Sequence, residues 1–138
     1  MIDRIRVHPS GQGLYEFTRE LSTCVSQAEI ESGLCTAFVQ HTSASLVIQE
    51  NADPSVQQDL ERWLARLVPE QDALYTHTQE GPDDMPAHVK ASLMGCSLSI
   101  PVQSGRLALG TWQGIYLCEH RNRATGRQLI LTLMGQAN

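Results

Sequence analysis

The sequence predicts an α+β domain whose strands pair mostly antiparallel. Three observations carry that reading. Short apolar and β-branched runs stand at both ends of the chain and between its helical stretches. Two clear helical patterns and a shorter third are inserted among them. Several connections are hairpin-short. At 138 residues the chain is expected to be one domain, spanning 1–138, and can bury a core without staples.

Residues 2–8 alternate through Ile2, Ile5 and Val7 like a first strand, and Gly11 and Gly13 mark a turn. Leu14–Phe17 reads as a short strand. Thr18 is expected to cap a helix whose apolar face is Leu21, Cys24, Val25 and Ala28, with Gly33 as its C-cap. Leu34–Gln40 and Leu46–Gln49 read as strands. Asp53-Pro54 opens the strongest helix: Asp53 caps, Pro54 fits the first helical position, and Val56, Leu60, Trp63, Leu64 and Leu67 follow before Pro69 stops it. Residues 70–88 have no period, and irregular loops of this length are often functional. A short helix from Pro86 to about Met94 is expected, then strands at Leu98–Val102, Leu107–Leu109, Ile115–Glu119 and Gln128–Leu133, the last two joined by the turn Asn122–Gly126.

The apolar share of 41% and charged share of 18% suit a soluble globular chain. A net charge of -5 argues against nucleic acid, which is bound through concentrated Lys and Arg. No membrane partner is expected either, because no apolar run approaches spanning length. The polar start MIDRIRVHPS is no signal peptide. Cys24, Cys35, Cys96 and Cys118 lack metal-ligand spacing and read as reduced thiols of a cytoplasmic protein.

The stretch HTSASLVIQEN, 41–51, surrounds apolar residues with an imidazole, three hydroxyls, a carboxylate and an amide. His41, His77 and His88 lie at strand ends or in the irregular loop. Carboxylates accompany them: Glu50 and Asp53 after His41, Glu80 between His77 and His88, and Asp83-Asp84 before His88. Histidine with carboxylate suits Zn, Mn or Fe, and carboxylates alone suit Mg. Histidine also moves protons near neutral pH. Each residue has a structural reading as well: His41 as a strand end bonded to backbone, Asp59 as a helix-surface acid, Arg106 as a turn residue. His8 and His120 have no context beyond surface or edge positions. There is no H-E-x-x-H, nucleophile elbow, P-loop or G-x-G-x-x-G.

The segments HTSASL (41–46), ENADPSVQQDL (50–60), HTQEGPDDMPAH (77–88) and GRLALGTWQGIYLCEHR (105–121) together resemble the YjbQ family, in order and spacing, over nearly the whole chain. The resemblance implies a cytoplasmic homotrimer with a β-sandwich-like core and thiamine-phosphate synthase activity, joining a pyrimidine pyrophosphate to a thiazole phosphate. On that expectation His41, His77, His88, Glu80 and Asp59 are catalytic. Thr42, Ser43, Asn51, Arg106 and Gln113 bind a small phosphorylated substrate, with Arg121 as a further phosphate contact. His41, His77, His88 and Glu50 hold a divalent metal such as Mg, Zn or Mn. Asp84 departs from the family pattern and receives no role, and Cys118 is expected to pack. HTSASLVIQEN would then carry His41 to a cleft and return Glu50 and Asn51 beside it. The alternatives are a metal-dependent hydrolase or lyase acting on a small phosphorylated or carbonyl compound, and a trimer that binds metal or ligand without turnover.

Overall fold

In the computed structural model, which describes residues 1–137, the chain forms eight strands and three helices. Their order is β1 (Ile2–Val7), β2 (Gly13–Glu16), α1 (Thr18–Gln27), β3 (Ser32–Val39), β4 (Ala44–Glu50), α2 (Pro54–Leu67), α3 (Asp84–Met94), β5 (Ser97–Gln103), β6 (Arg106–Leu107), β7 (Gln113–Glu119) and β8 (Arg127–Gln136). Two antiparallel sheets result. One runs β1-β8-β3-β5-β6 and the other β2-β7-β4. This is the expected α+β sandwich-like architecture.

The core lies between the sheets. Alternating residues point inward, as the period of two requires. Cys35, Ala37, Val39, Leu129, Leu131 and Leu133 come from the larger sheet, and Leu46, Ile115 and Leu117 from the smaller. Phe17, Leu21 and Val25 add to this core from the α1 region. β7 is buried on both faces from Gly114 to Glu119, because the core lies on one side and the Gln57 side chain of α2 reaches Tyr116 on the other.

Three expectations change. Gly33 is not a helix C-cap. Helix α1 ends at Ala28, Glu29 takes the left-handed φ of 55°, and Gly33 lies inside β3 opposite Gly135. Thr18 is the first helical residue and not the cap. Its hydroxyl donates to Glu16 at 2.8 Å and accepts from the Ile115 N–H at 2.9 Å, so it ties α1 to the smaller sheet. The strands joined across Asn122–Gly126 do not pair: β7 belongs to one sheet and β8 to the other. That connection crosses between layers, which brings Glu119 and Arg127 together at the edge of the core. Asp53 does cap α2, accepting from the Ser55 N–H at 2.9 Å, with Pro54 beginning the helix.

Candidate functional site

Helix α3 begins two residues earlier than expected, at Asp84. That start places Asp84 and His88 four apart on one helical face. The loop before α3 brings His77 to the same carboxylate. Asp84 Oδ2 lies 2.6 Å from His77 Nε2 and 3.3 Å from His88 Nε2. One ligand atom from each of His77, Asp84 and His88 falls within 4.8 Å of the others, a geometry that can hold a metal ion. Asp84 is 1% exposed, while both imidazoles reach solvent. Glu80 stands at the rim, its carboxylate 3.9 Å from His77.

The position of the proton on His88 follows from its neighbours. Its Nδ1 lies 3.2 Å from the Thr42 carbonyl, so Nδ1 carries a hydrogen. In the neutral ring Nε2 then presents a lone pair to the Asp84 carboxylate. That nitrogen is the one a metal held with Asp84 would use. An N–H donated to a backbone carbonyl is also the usual orientation of a metal-binding histidine.

Arg121 anchors the cluster from behind. Its guanidinium donates to Asp84 Oδ1 at 2.5 Å, Asp83 Oδ2 at 2.9 Å and the Glu80 carbonyl at 3.0 Å. Burial alone would raise the Asp84 pKa. The His77 hydrogen bond and the Arg121 charge outweigh it and hold the carboxyl below its ordinary value. The same contest settles Asp83, where burial loses to the Asn122 N–H and Arg121.

His41 is beside this cluster but not in it. Its Nδ1 lies 3.0 Å from the Ser43 N–H and its Nε2 2.7 Å from Arg127 Nη1. A neutral imidazole has one acceptor nitrogen, so the ring can answer only one of these two donors at a time. Both nitrogens are engaged within the chain, which takes His41 out of the expected metal set. Burial first, then the Arg127 charge, lower its pKa. Arg127 is itself held by Glu119 through two bonds of 2.6 and 2.7 Å, with both side chains buried.

The remaining expected residues lie elsewhere. β4 separates Ala44 from Glu50 by its own length, roughly 20 Å at about 3.3 Å per residue. Glu50 therefore does not return to His41, and it is not a ligand of the cluster. Asn51 and Gln113 share its end of the sheet: Asn51 donates to Glu16 at 3.0 Å, and Gln113 closes a turn by accepting from the Gly110 N–H at 2.7 Å. Asp59 is exposed on α2 with Arg62, Trp63 and Arg66. Arg106 is exposed on edge strand β6, in a depression shared with Ser22 and Ser26 of α1. Thr42 contributes its carbonyl to His88, and Ser43 is buried with its N–H on His41.

Asp83 and Asp84, expected only as carboxylates near His88, and Arg127, given no site role, all belong to the site. Arg121, expected to meet phosphate, instead spends its guanidinium on Asp83 and Asp84. A signal for Asp84 is present in D-M-P-A-H, the four-residue spacing of Asp84 and His88, legible once the helix starts at Asp84. His120 also departs from expectation. It is 2% exposed and not a surface residue, because it follows the doubly covered strand β7.

The profile of the family described as UPF0047 protein YjbQ-like matches residues 3–136. The chain belongs to the YjbQ/UPF0047 family. It is 49% identical over 126 residues to UPF0047 protein sll1880 of Synechocystis, covering 91% of this chain and 86% of that one. It is 47% identical to UPF0047 protein YjbQ of Salmonella typhimurium, covering 91% of each. Among solved structures, the conserved hypothetical protein TT1486 of Thermus thermophilus superposes with a TM-score of 0.84 at 34% identity, over 96% of this chain and 99% of that one. A YbjQ-like protein of unknown function from Sulfolobus solfataricus gives a TM-score of 0.90 at 25% identity, over 99% and 97%. The sandwich described above is thus the YjbQ fold.

Proposed function

We propose that this YjbQ protein is a homotrimeric divalent-metal enzyme that acts on a small phosphorylated or carbonyl substrate, with His77, Asp84 and His88 as the metal ligands. The orientation of His88 carries the reading: Nδ1 is committed to a backbone carbonyl, and Nε2 is left facing the Asp84 carboxylate 3.3 Å away, within reach of a shared ion with His77. Two imidazoles and one carboxylate suit Zn or Mn, which would supply Lewis-acid polarisation of a substrate oxygen or of water. Arg121 and the Thr42 carbonyl hold the ligands in place, and Glu80 at the rim is placed to take or return a proton. A cleft of about 290 Å³ opens beside His77, lined also by Tyr75, Thr78, Gly81 and Met85, and has room for a small substrate.

Hydrolysis or elimination fits these parts better than thiamine-phosphate synthesis. A departing pyrophosphate needs cationic partners beyond a single metal ion. Arg121 and Arg127 are instead paired with this chain's own carboxylates, and Arg106 stands on β6. Metal analysis and calorimetric titration with Zn and Mn test the assignment. About one ion per chain is expected, with His88→Ala weakening binding by at least about 100-fold. Equal uptake by His88→Ala and the parent protein would remove the cluster as the metal site. Thiamine-phosphate formation that persists in the parent and vanishes in folded His88→Ala would restore the synthase reading at the same residues.

A further inference from the structure

Lys90 is the only lysine of the chain, and it is 5% exposed. It lies two residues beyond His88, so it points to the other side of α3 from the metal cluster. There it lines a small cavity of about 60 Å³ that opens to solvent between β2, α2 and the end of β7. Buried Lys90, Cys118, Glu119 and His120 make the floor, and exposed Gln12 and Glu61 make the rim.

An ammonium has three hydrogens to donate. Lys90 Nζ donates to Gln12 Oε1 at 3.2 Å, and among the described residues no carboxylate lies within salt-bridge distance of it. The other buried cation, Arg127, has a bidentate carboxylate partner. Burying a cation without one is costly. His120 Nε2 is bonded to Ser45 Oγ at 2.8 Å; in the tautomer whose Nε2 accepts from that hydroxyl, Nδ1 carries the hydrogen and turns it to the cavity that the ring lines. The floor therefore offers a cation and an imidazole nitrogen with no anion in direct contact, and Glu70 and Asp83 attract Lys90 only from beyond salt-bridge distance. Glu119 does not supply one, because both its oxygens are bonded to Arg127.

We infer that this cavity is a second ligand site, separate from the metal cluster, which takes a small anion: a phosphate or a short carboxylate whose oxygens meet Lys90 Nζ and His120 Nδ1. Glu61 at the rim disfavours a second negative charge and accepts from a hydroxyl or amine at the ligand's far end. Small hydroxy or amino acids fit that polarity, whereas a phosphate monoester, with about −1.5 to −2 charge near pH 7, meets the repulsion of Glu61.

A single lysine makes the test direct. In protein labelled with [ε-13C]lysine the side chain gives one resonance, followed during titration with inorganic phosphate and, separately, with glycolate, against chloride at matched ionic strength and with chelator present. A saturable shift with phosphate alone identifies a phosphate site, one with glycolate alone a carboxylate site, and the same shift in His88→Ala separates it from the metal cluster. No saturable shift with either, or a shift that chloride reproduces, overturns the inference. Lys90→Met is expected to abolish binding in calorimetry. Should that variant fail to fold, Glu61→Gln serves: the anion is expected to bind about two- to fivefold more tightly, the size of one exposed charge–charge interaction. Unchanged affinity there counts against the site as drawn.

Discussion

Burial, and then the charges of Lys90 and Arg127, push the pKa of His120 down to about 4. The unfolded chain protonates the same ring near its ordinary value of about 6.5. Stability from keeping it neutral is therefore complete above about pH 6.5, and falls as the pH drops because only the unfolded state gains the proton. The slope is about 1.4 kcal/mol per pH unit, roughly 3 kcal/mol across the window down to about pH 4. Asp83 and Asp84, whose carboxyls are held low, add their loss only below about pH 4, so the two effects separate. Urea unfolding at about pH 7 and about pH 5 should show the first, and His120→Gln should flatten it. A parent protein equally stable at both values would mean that His120 is protonated without strain. Nothing in the residues around position 120 announces this role, since burial comes from the covering of β7 and not from a local pattern.

Elements differ in how much of themselves the local chemistry states. Asp53-Pro54 specifies the start of α2 because cap and first helical residue are adjacent and act through local bonds. The start of α3 is less visible, because Asp83 makes no side-chain cap bond and its carboxylate goes to Arg121 and Asn122. Gly33 misleads for a different reason: its use is tertiary. In β3 it faces Gly135 of β8, and a Cβ on either would run into the other strand's backbone. Gly33→Ala is therefore expected to destabilise by about 1–3 kcal/mol, as overpacking does, measured as a lower urea midpoint. A C-cap glycine would instead have required a positive φ. An unchanged midpoint would show that the two strands can part at little cost. Glu50 is misplaced by length: a turn after Leu46–Gln49 would fold it back, but β4 runs straight for seven residues.

At the scale of the whole molecule, the expected site residues divide between the two ends of the smaller sheet. His41, Thr42, Ser43, His77, Glu80 and His88 gather at one end, and Glu50, Asn51 and Gln113 at the other. No helix among the described residues is long and apolar enough to cross a membrane. The outer face of the larger sheet carries exposed Ile2, Leu34, Phe38 and Met134 on β1, β3 and β8, with Leu34 directly opposite Met134. The proposed homotrimer would cover such a face. Light scattering should then report three chains for the parent protein and one for Phe38→Asp. A monomeric parent would end the trimer proposal, and a trimeric variant would move the interface to another surface. The end of β7 ties the interior of the molecule together. Glu119 grips Arg127, His120 lines the cavity beside Lys90, and Arg121 reaches Asp84 of the His77–Asp84–His88 cluster. Three neighbouring residues thus serve three surroundings, one at the end of β7 and two in the turn that follows it. Sliding β7 by one place would exchange the buried carboxylate for the imidazole and uncouple Arg121 in the same motion. Misalignment of this strand cannot yield a well-folded but idle protein; the register that closes the core also assembles the chemistry.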